Sequence, residues 1–246
     1  MTKTKIDWCD YTWNPVWGCL NNCAYCYARK MAKRIARQIA TKEIRYLYPG
    51  VGRVKWIELW VELYEKLRRF EPVFLHSNFD KPFPKKPSRI FVNSMSDIAF
   101  WKDEWLVRVL LKTMQHPEHI FLLLTKFPRR YARFNNLAPS NLWAGVTITT
   151  ESQAWASSLS MRGLRGMNRF VSIEPIFQRI GIKKTIWAYD WVIIGAETGN
   201  RKGKIIPKRE WIAEIVDYCK ENNIPVFLKD SLREIWGGEL IQEFPK

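Results

Sequence analysis

The chain has 246 residues, of which 47% are hydrophobic and 26% charged, the profile of a soluble globular protein with one large α/β domain or at most two small ones. No apolar run is long enough to cross a bilayer, Met1–Asp10 lacks the apolar core of a secretory signal, and five cysteines do not make a disulfide scaffold, which together predict a cytoplasmic protein with no membrane partner. A net charge of +16 draws polyanions, so nucleic acid, DNA or RNA, leads the expected partners; a basic surface with no specific partner is the alternative.

In chain order, a first strand is expected within Ile6–Trp13, followed by a loop bearing three cysteines. Arg29–Arg45 has helical spacing, with Met31, Ala32, Ile35, Ala36, Ile39 and Ala40 on one side. Val54–Phe70 repeats that spacing through Ile57, Trp60, Val61, Tyr64 and Leu67. Both read as amphipathic helices packing on a sheet. Prolines and lysines interrupt the pattern at Asn78–Ser88, as in a surface loop or an insertion lid. Short β-branched and aromatic runs then recur at Arg89–Asn93, His119–Leu124, Asn141–Ile148, Arg169–Ile173, Trp191–Ile194 and Pro225–Leu228. Helical segments such as Asp103–Gln115 and Lys208–Glu221 lie between them. Apolar strands alternating with helices predict an α/β fold, a partial (β/α) barrel of about six to seven parallel strands forming a single domain over residues 1–246.

The segment carrying chemistry is Gly18-Cys19-Leu20-Asn21-Asn22-Cys23-Ala24-Tyr25-Cys26-Tyr27. Three thiolates at C-x3-C-x2-C spacing can hold three irons of a four-iron four-sulfur (4Fe-4S) cluster and leave the fourth iron without a protein ligand. A structural zinc site with Cys9 as fourth ligand is the competing assignment. Its C-x9-C-x3-C-x2-C spacing departs from the two short pairs that zinc sites use.

With Tyr25 just before its third cysteine, the loop resembles the signature of the radical S-adenosylmethionine (SAM) superfamily. That resemblance implies Cys19, Cys23 and Cys26 as cluster ligands, SAM as a cofactor chelating the open iron, whether consumed or regenerated, an electron donor as partner, and Tyr25 beside the adenine. A wider resemblance runs through Asp10–Cys19, Arg169–Pro175, Trp191–Gly199 and Val226–Asp230 to a phage-associated family of uncharacterised radical-SAM-like proteins, although Asp230 stands where a polar amide is expected. The cysteine loop by itself also resembles that of spore photoproduct lyase.

In parallel β/α folds, ligands sit at the carboxyl ends of strands. Polar residues follow each apolar run: Ser94, Ser96 and Asp97; Thr125 and Lys126; Thr147, Thr149 and Thr150; Glu174; Glu197 and Thr198; Lys229 and Asp230. The resemblance implies that Asn93–Asp97 meets the SAM amino group, though the glycine-glycine-glutamate pattern common in the superfamily is missing there. Thr147, Thr149, Ser172 and Glu174 are the candidates for the ribose hydroxyls, with Glu197 alongside them. Gly195–Gly199 fits neither the dinucleotide nor the Walker fingerprint and reads as backbone that comes close to SAM or substrate.

His116 and His119 flank a helix-to-strand turn and read as structural. Cys219 falls at the same end of the fold, away from any hydrogen-atom transfer, and Cys9 is left open. The expected function is reductive cleavage of SAM to a 5′-deoxyadenosyl radical that modifies or repairs a nucleic acid or nucleotide. The alternatives are a zinc-stabilised nucleic-acid-binding protein without catalysis, and a radical SAM enzyme acting on a small molecule or peptide.

Overall fold

The computed structural model describes residues 2–181 and 185–245, which pack as two compact units. One comprises residues 2–4 and 9–121; the other comprises residues 5–8 and those from 122 onward.

The first unit runs β1 (Thr2–Lys3), β2 (Tyr11–Thr12), β3 (Val16–Trp17), α1 (Tyr27–Leu47), α2 (Arg53–Arg69), β4 (Val73–Phe74), α3 (His76–Phe79), β5 (Arg89–Phe91) and α4 (Asp103–Met114). β2 pairs parallel with β5, Tyr11 opposite Ile90 and Thr12 opposite Phe91, and β1 adds antiparallel on its other side. A second small sheet joins β3 and β4 antiparallel. The expected first strand is therefore present but short, and Cys9 precedes it as a buried core residue.

α1 forms because alanines recur every fourth residue: Ala28, Ala32, Ala36 and Ala40 make one buried stripe. They meet Leu67 and Phe70 at the end of α2, with Ile35, Ile39 and Trp60 packed at the margin. Small side chains let two helix backbones come close, so α2 packs on α1, and its end also joins Trp17 of β3 and Val73 of β4 in one core cluster. Ile57 and Val61 stay exposed, as does Met31 of α1. The apolar pattern of α2 instead supports an aromatic ladder, Trp56 on Trp60 at 6.2 Å and Trp60 on Tyr64 at 4.9 Å between ring centroids.

The proline- and lysine-rich loop is anchored. Phe79 and Phe83 pack on Trp13, and the Lys112 ammonium of α4 donates to the carbonyls of Phe79 and Lys81.

The chain enters the second unit through β6 (Ile120–Thr125), whose first two residues belong to the first unit. It continues with α5 (Arg129–Ala132), β7 (Leu142–Ile148), α6 (Glu151–Arg162), β8 (Asn168–Ile173), β9 (Trp191–Ile194), α7 (Arg209–Glu221), β10 (Val226–Leu228) and α8 (Arg233–Trp236). β7, β8, β9 and β10 pair in parallel in that order. β9 and β10 are buried along their whole length, as strands covered on both faces must be. At its base Trp8, Phe170 and Trp191 form an aromatic cluster with tilted and edge-on contacts. Each strand and helix bound expected from sequence falls within a few residues of the observed one, and parallel strands alternating with helices make the fold class α/β.

Candidate metal centre

The cysteine loop is built entirely within the first unit. It leaves β3 at Gly18, which has φ +104° and lies so close to the preceding end of β4 that a Cβ would sit 2.0 Å from the Glu71 carbonyl oxygen. Only glycine fits there. The Gly18 N–H donates to the Met95 carbonyl at 3.1 Å and the Cys19 N–H to the Phe70 carbonyl at 2.9 Å, so the loop's start is pinned to the segment after β5 and to the end of α2. At its far end Cys26 is the N-cap of α1.

Two of the sulfurs already accept backbone N–H groups: Cys19 Sγ from Asn21 at 3.5 Å and Cys26 Sγ from Arg29 at 3.4 Å. Such N–H···S contacts stabilise thiolate charge and tune any cluster held there. The N-terminus of a 21-residue helix adds a positive dipole end beside Cys26. Cys19, by contrast, is pushed up to about 11, chiefly by burial, with Asp97 and the other two thiols adding to the rise. A cation bound at Cys19 would favour its thiolate form.

Among the described residues, one set of three histidine, cysteine or carboxylate side chains has its ligand atoms all within 4.8 Å of one another, namely His116, Glu118 and His119. Cys19, Cys23 and Cys26, all partly buried in one short loop, are a soft sulfur donor set of the kind that holds an iron–sulfur cluster or zinc.

The segment after β5 supplies the loop's polar neighbours. Asp97 is buried; one carboxylate oxygen caps Ala99 N–H at 3.0 Å and the other accepts Asn21 Nδ2 at 2.8 Å. Ser94 Oγ exchanges hydrogen bonds with the Asn14 side chain at 3.0 and 3.1 Å, and Ser96 Oγ accepts Trp101 Nε1 at 3.1 Å. Tyr27 donates to the Ser94 carbonyl at 3.0 Å. Tyr25 is half-buried in the loop. The structure therefore brings Ser94, Ser96 and Asp97 beside the cysteine loop. Sequence reasoning missed Asn14 and Asn21. Asn14, just after the first strand, had a signal in its position, but nothing local marked Asn21 as the tie to Asp97.

A cavity of about 270 Å³ lies beside α1 in the same unit, lined among others by Trp13, Asn14, Trp17, Gln38, Lys42 and Lys81. Burial, and then the neighbouring Lys42, hold the Lys81 ammonium below its ordinary value.

In the second unit Thr147 of β7 and Ser172 of β8 are cross-strand partners. Thr149 is tied to Gln153 Oε1 through both its N–H and its hydroxyl at 2.9 Å. Glu174 accepts the Lys229 ammonium at 2.5 Å. Gly195 leaves room for this pair, because a Cβ there would meet Lys229 Cδ at 2.9 Å and Glu174 Cδ at 3.1 Å. Glu197 is buried and held by both arms of the Arg201 guanidinium, at 2.6 and 2.8 Å, and that guanidinium keeps its carboxyl below the usual range. Cys219 is buried within α7, its thiol pushed up to about 12 by burial.

A parallel α/β framework with a three-cysteine loop leaving β3 defines the fold and a candidate metal centre. Residues 3–240 match the family described as "Protein of unknown function (DUF5131)", and the chain belongs to that family. Nothing among curated proteins matches this sequence. A solved structure of a cysteine-to-serine mutant of spore photoproduct lyase is similar at a TM-score of 0.53 and 10% identity, over 92% of this chain and 78% of that one. At that identity the likeness establishes the shared α/β partial-barrel fold. No helix among the described residues is long and apolar enough to cross a membrane.

Proposed function

We propose that this protein is a radical SAM iron–sulfur enzyme whose Cys19, Cys23 and Cys26 hold a 4Fe-4S cluster, and that it modifies or repairs a nucleic acid or nucleotide. The observation that carries the reading is the cysteine loop itself: three half-buried thiols at C-x3-C-x2-C spacing, with two sulfurs accepting backbone N–H groups. The fold likeness to spore photoproduct lyase is consistent with it. When bound, the cluster would supply the electron that cleaves the SAM sulfonium into methionine and a 5′-deoxyadenosyl radical.

The protein's own contribution is positioning. Asn21 and Arg29 N–H groups hold the sulfurs, and Asp97 fixes Asn21. Ser94, Ser96 and Asp97 border the loop where the SAM amino group would lie, with Tyr25 for the adenine. Thr147, Thr149, Ser172, Glu174 and Glu197 are the candidates for the ribose hydroxyls. Of these, Glu174 and Glu197 are engaged with cations, so a ligand hydroxyl would bind them as an added partner of an existing ion pair.

Nucleic acid as substrate is supported by the net charge of +16, by the exposed Lys33, Arg34 and Arg37 of α1, and by the clusters at Lys85, Arg129 and Arg201. A target base must leave its stack to meet a buried radical, so single strands, loops or flipped nucleotides are the expected form.

Anaerobic reconstitution tests the first claim: brown protein absorbing broadly near about 400 nm supports it, and stoichiometric zinc without iron or sulfide refutes it. Reduced, reconstituted protein should then release 5′-deoxyadenosine from SAM. Affinity for single-stranded DNA and structured RNA should fall steeply with salt as counterions are released. Affinity no better than that of an equally basic unrelated protein, with SAM cleavage unchanged by nucleic acid, would move the substrate to a small molecule.

A further inference from the structure

The turn between α4 and β6, within the first unit, carries a second cluster of metal-ligand side chains that the cysteine loop does not use. The His116 N–H donates to the Thr113 carbonyl and the His119 N–H to the His116 carbonyl. This tight turn puts the two imidazoles side by side, 6.1 Å apart between centroids and 26° from parallel. Glu118 reaches between them: one carboxylate oxygen lies 3.1 Å from His116 Nδ1 and 3.4 Å from His119 Nε2. Around a tetrahedral ion with nitrogen and oxygen ligands at about 2.0–2.1 Å, neighbouring ligand atoms lie about 3.3 Å apart. Two edges of such a shell are therefore already present, and all three ligand atoms fall within 4.8 Å of one another.

We infer that His116, Glu118 and His119 form a metal site for a divalent cation of the zinc type. Two imidazoles and one carboxylate are the borderline donor set that zinc and its neighbours prefer over magnesium or calcium. The surroundings hold the rings as ligands need to be held. Phe83 packs edge-on against His116 at 4.6 Å and against His119 at 5.8 Å, and Phe121 meets His119 at 6.0 Å. His119 is fully buried, whereas the side chains of His116 and Glu118 are 34% and 42% exposed, so a cation can enter and water can complete its shell. Because Phe83 belongs to the proline- and lysine-rich loop and packs on both rings, a bound cation clips that loop to the end of α4.

The test is zinc content after incubation with zinc chloride and gel filtration, on protein whose iron has also been measured. Cluster-loaded wild-type protein should retain one zinc per chain. His116→Ala and Glu118→Gln, both at partly exposed positions, should each bind it at least about 10-fold more weakly while keeping their iron. X-ray absorption at the zinc edge should show nitrogen and oxygen neighbours with no sulfur. If the cysteine loop itself takes zinc in place of a cluster, wild-type protein should hold two zinc ions and each variant one, which leaves this inference standing while the cluster reading falls. Equal zinc in wild type and both variants, or sulfur as the only neighbour, overturns it.

Discussion

The cysteine loop of the first unit and the acid-bearing strand ends of the second are both polar clusters beyond apolar strands, yet they are held in different ways. The loop is fixed by backbone: Gly18 to Met95 and Cys19 to Phe70, with its thiols left as the unfinished part. The strand ends are fixed by side-chain ion pairs, Glu174 with Lys229 and Glu197 with Arg201, and are electrostatically complete. Backbone hydrogen bonds position the first region and leave its side chains available, whereas paired charges hold and stiffen the second.

The comparison breaks most sharply at the cysteines. Replacing any one of Cys19, Cys23 or Cys26 by alanine should abolish iron retention, while Cys219→Ala should leave iron per chain unchanged. Gly18→Ala should lose most of the iron even though no ligand is touched, because a Cβ 2.0 Å from a carbonyl must displace the loop. Retention of full iron in that variant would show that the backbone does not hold the site. Asp97→Ala sharpens the same point at smaller scale: with Asn21 released, reconstituted iron should drop in part, measured alongside circular dichroism to establish folding.

In the second unit, Glu174→Gln and Lys229→Met should each weaken SAM binding by roughly 10-fold and leave the cluster spectrum intact. Their double variant should cost little more than either alone, since the two residues act as a pair. A spectral titration with SAM gives all three values.

The smallest expected effect is on stability. The folded-state carboxyl of Glu197 lies below its unfolded value of 4.5, so its contribution is present above that pH and is lost as the pH falls through the folded value. Thermal unfolding of Glu197→Gln should come a few degrees below wild type at neutral pH, and the gap should close in acid.

Much of the fold was legible because its signals are local. Apolar runs of strand length, helical spacing in Asp103–Met114 and Arg209–Glu221, and a break at proline each depend on neighbours in sequence. The apolar residues of α2 announce a helix but not that α1 would be a main surface it meets, because the alanines that draw it close lie a helix away. The segment Asn78–Ser88 reads as a surface loop or insertion lid from its prolines, and Phe79 and Phe83 anchor it to aromatic rings that sequence does not place nearby.

By itself the sequence determined the three cysteines, their spacing and the alternation of strand and helix, because thiolate chemistry and backbone periodicity are properties of short segments. Only the tertiary structure decided that Asp97 would hold Asn21, that Glu174 would pair with Lys229 across 55 residues, and that two histidines would close on one carboxylate oxygen. Those outcomes are distances between side chains, and a distance of three ångströms depends on how elements far apart in sequence pack.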